Sequence, residues 1–263
     1  MSASAAPPGS VPLVSAPLIS VVVPVLNEQD NIAPLIGEIV AALRGRHSFE
    51  IVYVDDGSTD ATPDVLKAQM RSVPELRVVR HAMRTGQSFA VRSGVKAAQG
   101  QWVGTLDGDG QNDPADLPKL LAVALAGGPT LGLVGGLRLK RKDTIWKKIA
   151  SKIGNGVRQF FLRDGCRDSG CGIKVFRREA FLDLPAFNAL HRFTPALMIS
   201  RGWVCDYAEV NHRPRERGVS KYNNLQRALV GIVDLLGVAW LRKRARIVQA
   251  SVVSADKADV NAA

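Results

Sequence analysis

From Leu18 onward the chain alternates short β-branched apolar runs with longer stretches in which apolar residues recur every three or four positions. The runs at 19–25, 50–55, 77–80 and 102–107 read as strands, and the stretches after them, 31–43, 60–70, 86–98 and 114–126, read as helices. The strands are near-continuous apolar runs, such as Val21-Val22-Val23 and Ile51-Val52-Tyr53-Val54. That texture belongs to strands whose two faces are both covered by helices, so the expected fold is α/β with a mainly parallel sheet. Asp56-Gly57-Ser58-Thr59-Asp60 and Asn112-Asp113-Pro114 supply turn and capping residues at two of the strand-to-helix boundaries.

Past a fifth strand at 131–137 the pattern changes. Trp146, Ile149, Ala150, Ile153, Val157, Phe160 and Phe161 recur at helical spacing against Lys147, Lys148, Lys152 and Arg158, which predicts a basic amphipathic helix over 146–161. A strand at 172–176, a helix at 193–201, a strand at 204–211 and a final apolar helix at 225–241, ending in Arg242-Lys243-Arg244, complete the reading. The apolar tract of that last helix, 228–241, has 14 residues and is interrupted by Asp234. At 1.5 Å per residue it reaches roughly 21 Å, short of a hydrocarbon core of about 30 Å. It is expected either to lie in a membrane interface or to pack on the domain. Residues 1–17 have neither the charge nor the apolar core of a secretory signal and read as a loose tail. The expected division is a catalytic unit over 18–224, a helix over 225–246 and a second tail over 247–263.

With 263 residues and 46% hydrophobic positions, the composition suits one large globular domain. Charge changes the picture more. The net value is +11, yet 138–246 holds 24 Lys and Arg against 9 Asp and Glu, leaving the remainder at −4. A basic second half calls for phosphates or an anionic membrane surface, and an acidic first half suits a metal ion. Nucleic acid is the weaker partner, because the basic residues are not interleaved with aromatics and the acidic loop would repel phosphates without a cation. Cys166, Cys171 and Cys205 cannot all pair and lack zinc-ligand spacing, which points to a reducing, cytoplasmic compartment.

Two carboxylates, Asp107 and Asp109, flank Gly108 at the end of a strand, where open α/β sheets bind ligands, and Gln111 adds a third oxygen. The alternative is a glycine-rich turn. Asp55 and Asp56 likewise follow a strand and can accept hydrogen bonds from a nucleobase or ribose; capping accounts for Ser58, Thr59 or Asp60 but not for this adjacent pair. A Rossmann site is a poor fit, since Gly108-x-Gly110 lacks the third glycine and follows the fourth strand. The charged loop Arg213-Pro214-Arg215-Glu216-Arg217-Gly218-Val219-Ser220-Lys221 reads, on its own, as solvated surface.

Pro24-Val25-Leu26-Asn27-Glu28, Val54-Asp55-Asp56-Gly57-Ser58 and Leu106-Asp107-Gly108-Asp109 stand in the order and spacing of the inverting, family-two glycosyltransferases of the GT-A fold. Arg138 with the lysines of 140–148, Arg167-Asp168-Ser169-Gly170-Cys171-Gly172, His191-Arg192-Phe193 and Arg215-Glu216-Arg217-Gly218-Val219-Ser220-Lys221-Tyr222 resemble its dolichyl- and polyprenyl-phosphate hexosyltransferase branch, dolichol-phosphate mannose synthase-like. The resemblance covers about 18–221. It implies that Pro24, Leu26, Glu28, Val54 and Asp56 contact the nucleoside, and that Asp107, Asp109 and Gln111 hold Mg²⁺ or Mn²⁺. It also implies that Arg138, Arg215 and Lys221 meet the diphosphate and the lipid phosphate; with Asp109 these are the expected catalytic groups. Asp168 matches the region of the base in sugar-acceptor relatives, but a phosphate acceptor is already anionic, so here it is expected to orient. The implied reaction moves a hexosyl group, by default mannose from GDP-mannose, from a nucleotide sugar to a polyprenyl phosphate at the cytoplasmic membrane face. A UDP-sugar donor and a saccharide hydroxyl acceptor are the alternatives. Many bacterial relatives add two transmembrane helices that this chain does not show, so the expected attachment is peripheral, with a possible membrane-protein partner.

Overall fold

The computed structural model describes residues 16–138, 145–166, 168–211, 213 and 224–247. The first half runs β1 Ile19–Val25, α1 Gln29–Leu43, β2 Phe49–Asp55, α2 Thr62–Gln69, β3 Leu76–Arg80, α3 Gln87–Ala97, β4 Trp102–Thr105 and α4 Leu117–Ala126. The second half runs β5 Leu131–Leu137, α5 Ile145–Leu162, β6 Lys174–Arg177, α6 Arg178–Leu182, α7 Leu190–Ser200, β7 Val204–Glu209 and α8 Asn224–Arg244. The strands form one sheet in the order β3-β2-β1-β4-β6-β5-β7, in which β6 alone runs antiparallel to its neighbours. The expected mainly parallel sheet is present.

Alternate side chains of the strands enter two separate cores. Val21, Val23, Ile51 and Tyr53 pack beneath α1 and α4 with Ile32, Ile36, Ile39 and Leu121. Val22, Val52 and Val54 pack beneath α3, α6 and α7 with Val91, Phe181 and Met198. Both faces being covered explains why the strands read as unbroken apolar runs. Contact beneath α3 is close: a Cβ on Gly94 would lie 2.4 Å from Val22 Cγ1.

Several boundaries differ from expectation by one to three residues, the end of β4 and the start of α4 among them, and one short helix was not expected. Strand β4 stops at Thr105 and not at 107, because the Asn112 side chain takes the Asp107 N–H at 2.9 Å and turns the chain out of the sheet. The stretch 114–116 forms a single 3₁₀ turn, begun by the Asp113 carboxylate accepting from Ala115 N, before α4 starts at Leu117. Helix α6 has five residues, too few to register as a period in the sequence.

Helix α5 also departs from a simple basic-out pattern. Arg158 is buried, donating to the Asp164 carboxylate and the Arg192 carbonyl, whereas Val157, Phe160 and Phe161 are exposed. The charge turned inward because it finds an acidic partner and the ring of Phe193 there, 5.2 Å from the guanidinium.

At the N-terminal ends of the strands, away from the carboxyl-end crevice, Glu50 organises a polar knot. Its carboxylate accepts from Ser20 Oγ, Gln99 N and Arg77 Nη1 at 2.6, 2.6 and 2.8 Å. Burial pushes the carboxyl up, but these bonds outweigh it and hold it below the usual glutamate value of 4.5. Because the folded value is depressed, the contribution to stability is complete above 4.5 and is lost as pH falls through the lower folded value. Glu50→Gln is therefore expected to cost about 2 kcal/mol at neutral pH. In urea unfolding at a series of pH values, that gap should narrow as the medium is acidified.

Candidate active site

The strand order places β1 between β2 and β4, so the chain leaves β1 toward one edge of the sheet and leaves β4 toward the other, which opens a crevice at the carboxyl ends of the strands. A cavity of about 470 Å³ lies there. Pro24, Leu26 and Glu28 line it from the end of β1, Asp56 from β2, and Asp107, Asp109 and Gln111 from the turn after β4. Residues up to 87 positions apart in sequence are thus brought to one chamber by three parallel strands ending together.

The two loops at β1 and β2 are laced to each other. Ser58 Oγ accepts from Asn27 N at 2.9 Å, Thr62 Oγ1 from Glu28 N at 3.0 Å, and Asn27 Oδ1 from Thr59 N at 2.9 Å. The adjacent aspartates divide their work. Asp55 accepts from Ser58 N at 2.9 Å and meets Arg80 at 3.3 Å, which makes it the turn-holder, whereas Asp56 faces the cavity. Burial pushes the Asp56 carboxyl up, but hydrogen bonds from His81, Thr85 and Gly86 outweigh that and hold it below the usual carboxylate range.

Asp107 is set deep in the turn. Gln87 Nε2, at the start of α3, donates to its Oδ1 at 2.8 Å. Gly172 passes so close that a Cβ would lie 2.0 Å from Asp107 Oδ2, so no other residue type fits without moving the carboxylate. Burial and the charge of Asp109 both push the Asp107 carboxyl up, opposed by Lys174, Gln87 and Arg138. Asp109 Oδ1 accepts from Gln111 N at 3.2 Å. Among the described residues no cluster of three or more His, Cys, Asp and Glu could hold a metal. Two carboxylates and an amide oxygen are nonetheless the hard, partial ligand set that Mg²⁺ or Mn²⁺ takes when substrate phosphates supply the rest. A dication bound between Asp107 and Asp109 would relieve the repulsion of two carboxylates placed this close in sequence after one strand.

Arg138 is not among the cavity-lining residues. Its guanidinium makes a two-pronged pair with Asp168, Nε to Oδ2 and Nη2 to Oδ1, each 2.7 Å, with side chains 12% and 8% exposed. The neighbours Ser169 and Gly170 do line the cavity, which puts the pair behind its wall. Val54 is wholly buried beneath α3, and its side chain is not brought to the cavity. Arg215 and Lys221 lie outside the described residues. The root of their loop is placed, however: Arg213 N donates to Gln111 O at 3.1 Å, and its guanidinium meets Glu38 and Asp113 at 2.7 and 2.8 Å. Arg213, the last described residue before them, therefore sits beside the acidic turn.

Sequence reasoning missed Gln87, Lys174 and the anchoring role of Arg213. Lys174 left one signal, a single charge inside an apolar strand run; it is buried, lines the cavity and donates to the Cys171 carbonyl. His191 and Arg192, at the start of α7, also line the cavity, and His191 Nδ1 lies 2.7 Å from Ser88 Oγ.

Residues 20–184 match the profile described as Glycosyl transferase family 2. The chain is 35% identical over 235 residues to the dodecaprenyl-phosphate galacturonate synthase of Rhizobium johnstonii, covering 87% of this chain and 68% of the relative. It is 34% identical over 210 residues to the undecaprenyl-phosphate 4-deoxy-4-formamido-L-arabinose transferase of Pseudomonas savastanoi pv. phaseolicola, covering 79% of this chain and 61% of the relative. Among solved structures, glucosyl-3-phosphoglycerate synthase from Mycobacterium tuberculosis with Mg²⁺ and uridine-diphosphate superposes with TM-score 0.63 at 20% identity, over 90% of this chain and 82% of that one. A mannosyltransferase from Pyrobaculum calidifontis in complex with GDP-Man and Mn²⁺ gives 0.60 at 22%, over 90% and 67%. These likenesses carry the fold, which is GT-A. The chain belongs to glycosyl transferase family 2.

Proposed function

We propose that the protein transfers a glycosyl group from a nucleotide sugar to a polyprenyl phosphate, with inversion. The observation that carries this is the meeting of Asp56, Asp107 and Asp109 with Lys174 and Arg192 around one cavity, with Arg213 bonded to Gln111 at its rim. Glu28 and Asp56 take the nucleoside, and Asp107, Asp109 and Gln111 hold Mg²⁺ or Mn²⁺. An ion held by these residues would supply the positive charge that a departing diphosphate needs. Lys174, Arg215 and Lys221 lower the repulsion between two phosphate-bearing substrates, the obstacle when the acceptor is itself an anion. Both oxygens of Asp168 are engaged by Arg138, which favours a phosphate acceptor over a hydroxyl that would need a free base.

Mannose from GDP-mannose draws no support from the curated relatives, whose names specify galacturonate and 4-deoxy-4-formamido-L-arabinose. A panel of radiolabelled nucleotide sugars, offered with polyprenyl phosphate and Mn²⁺ and read by label entering organic solvent, tests the reaction and identifies the sugar. Label should move with a donor only when the lipid phosphate is present; transfer to a water-soluble saccharide instead would overturn the acceptor assignment.

Attachment to the membrane surface is the second part of the proposal. No described helix is long and apolar enough to cross a membrane. On α8, Leu235 and Val238 are buried against the domain, while Val230, Val233, Leu236 and Trp240 are exposed along its outer side. Phe160 and Phe161 of α5, which packs on α8, are exposed as well, and Lys243, Arg244 and Arg246 follow at the basic end. Since α8 contributes to the core, point substitutions are the cleaner probe. Phe160→Glu with Trp240→Glu should lower binding to anionic vesicles by about tenfold or more, and salt should weaken the wild type steeply, each engaged cation being worth about 1 kcal/mol. Unchanged vesicle binding by the double variant would remove this surface from the proposal.

A further inference from the structure

Gln87 is the first residue of α3 and an exposed part of the cavity wall, and its side chain reaches to the turn after β4. There Nε2 donates to Asp107 Oδ1 at 2.8 Å. The first turn of α3 is a firm base for this reach. Ser88, the next residue, is buried and bonds to His191 Nδ1 at 2.7 Å, which ties α3 to the start of α7, and Ala90 and Val91 are set in the core. Asp107 is confined from two other sides. Its N–H goes to Asn112 Oδ1 at 2.9 Å, and Gly172, whose carbonyl accepts from Thr105 Oγ1 at 2.9 Å, runs against Oδ2 with no room for a Cβ. The turn and Gly172 therefore limit where the carboxylate sits, and the bond from Gln87 sets its rotation.

We infer that Gln87 is a positioning residue for the divalent cation: its amide holds the Asp107 carboxylate in the orientation that receives the ion. Each carboxylate oxygen has two lone-pair sites, so the bond from Gln87 leaves Oδ1 able to meet a cation as well. The donor is also neutral. A lysine in its place would orient the carboxylate but cancel the negative charge that attracts the ion, whereas an amide orients it and leaves that charge intact. Groups that hold a metal ligand from behind govern affinity for the metal nearly as much as the ligand does. The inference rests on the metal-dependent nucleotide-sugar reading above and adds to it a residue from a different element, α3.

Calorimetric titration of the full chain with UDP and with GDP, each in excess chelator and again with Mn²⁺, tests it without requiring turnover. In the wild type Mn²⁺ should tighten binding of whichever nucleotide the cavity takes. Gln87→Met keeps the length of the side chain and its helix propensity but has no donor. It should lose about tenfold of the affinity that Mn²⁺ adds, while its affinity in chelator and its melting temperature stay at the wild-type values. Gln87→Ala also lacks the donor and should behave alike. An equal Mn²⁺ gain in the wild type and in Gln87→Met overturns the inference and spares the proposed reaction. A loss of the same size in chelator and in Mn²⁺ overturns it too, because it marks direct contact with the nucleotide or a merely structural role. A wild type that gains nothing from Mn²⁺, or that binds neither nucleotide, overturns both the inference and the reading beneath it.

Discussion

Asp109→Asn is expected to lower turnover by at least on the order of 10²-fold while moving the melting temperature little, because it removes charge from a preorganised site while keeping the acceptor for Gln111 N. The Asp109 Oδ1 acceptor for Gln111 N is retained by an asparagine carbonyl, so the turn after β4 keeps its form. What disappears is one of two carboxylates held near each other in a half-buried cavity. The cost of that crowding is visible at Asp107, whose carboxyl is pushed up by burial and by Asp109. A chain that maintained this repulsion without a cation to relieve it would gain nothing from it. Measured with saturating donor and lipid phosphate, turnover should vanish in excess chelator and return with Mg²⁺ or Mn²⁺. Full activity in chelator would remove the metal from the site.

The fold was legible because its strands are buried on both faces and its helices are periodic; ranges such as 19–25 and 131–137 agree with the structure to the residue. Boundaries failed where a single side-chain hydrogen bond ends an element inside an apolar run, as Asn112, five positions on, does for β4. The acidic half of the site was legible for a related reason: Asp56, Asp107 and Asp109 each stand just past a strand end, and parallel strands end together. Contacts that depend on a crossover were not. Gln87 reaches Asp107 across 20 positions, His81 reaches Asp56 across 25, and Arg213 reaches Glu38 across 175; no local pattern announces them. Burial of Arg158 went unseen because helical spacing assigns charge outward unless a partner waits within.

Asp168→Asn should cost about 3 kcal/mol of stability, since it leaves the guanidinium of Arg138 in a nearly closed site with half its partner gone. The pair is two-pronged at 2.7 Å on both arms and its side chains are 12% and 8% exposed, so water offers little replacement. Arg138→Lys should lose much of the same energy, because an ammonium cannot reproduce the planar fork. In a double-mutant cycle, replacing both residues by leucine should cost less than the two single changes added together, by about 2 kcal/mol. Catalysis gives the sharper reading. If Asp168 only orients Arg138 and the wall residues Ser169 and Gly170 beside it, Asp168→Asn should reduce turnover by roughly tenfold and leave the shape of the pH–rate profile intact. If it were the base for a hydroxyl acceptor, the acidic limb of that profile would disappear with the carboxylate. A phosphate acceptor carries its charge at neutral pH, so nothing in the reaction calls for Asp168 to take a proton, and its two oxygens are already committed to Arg138.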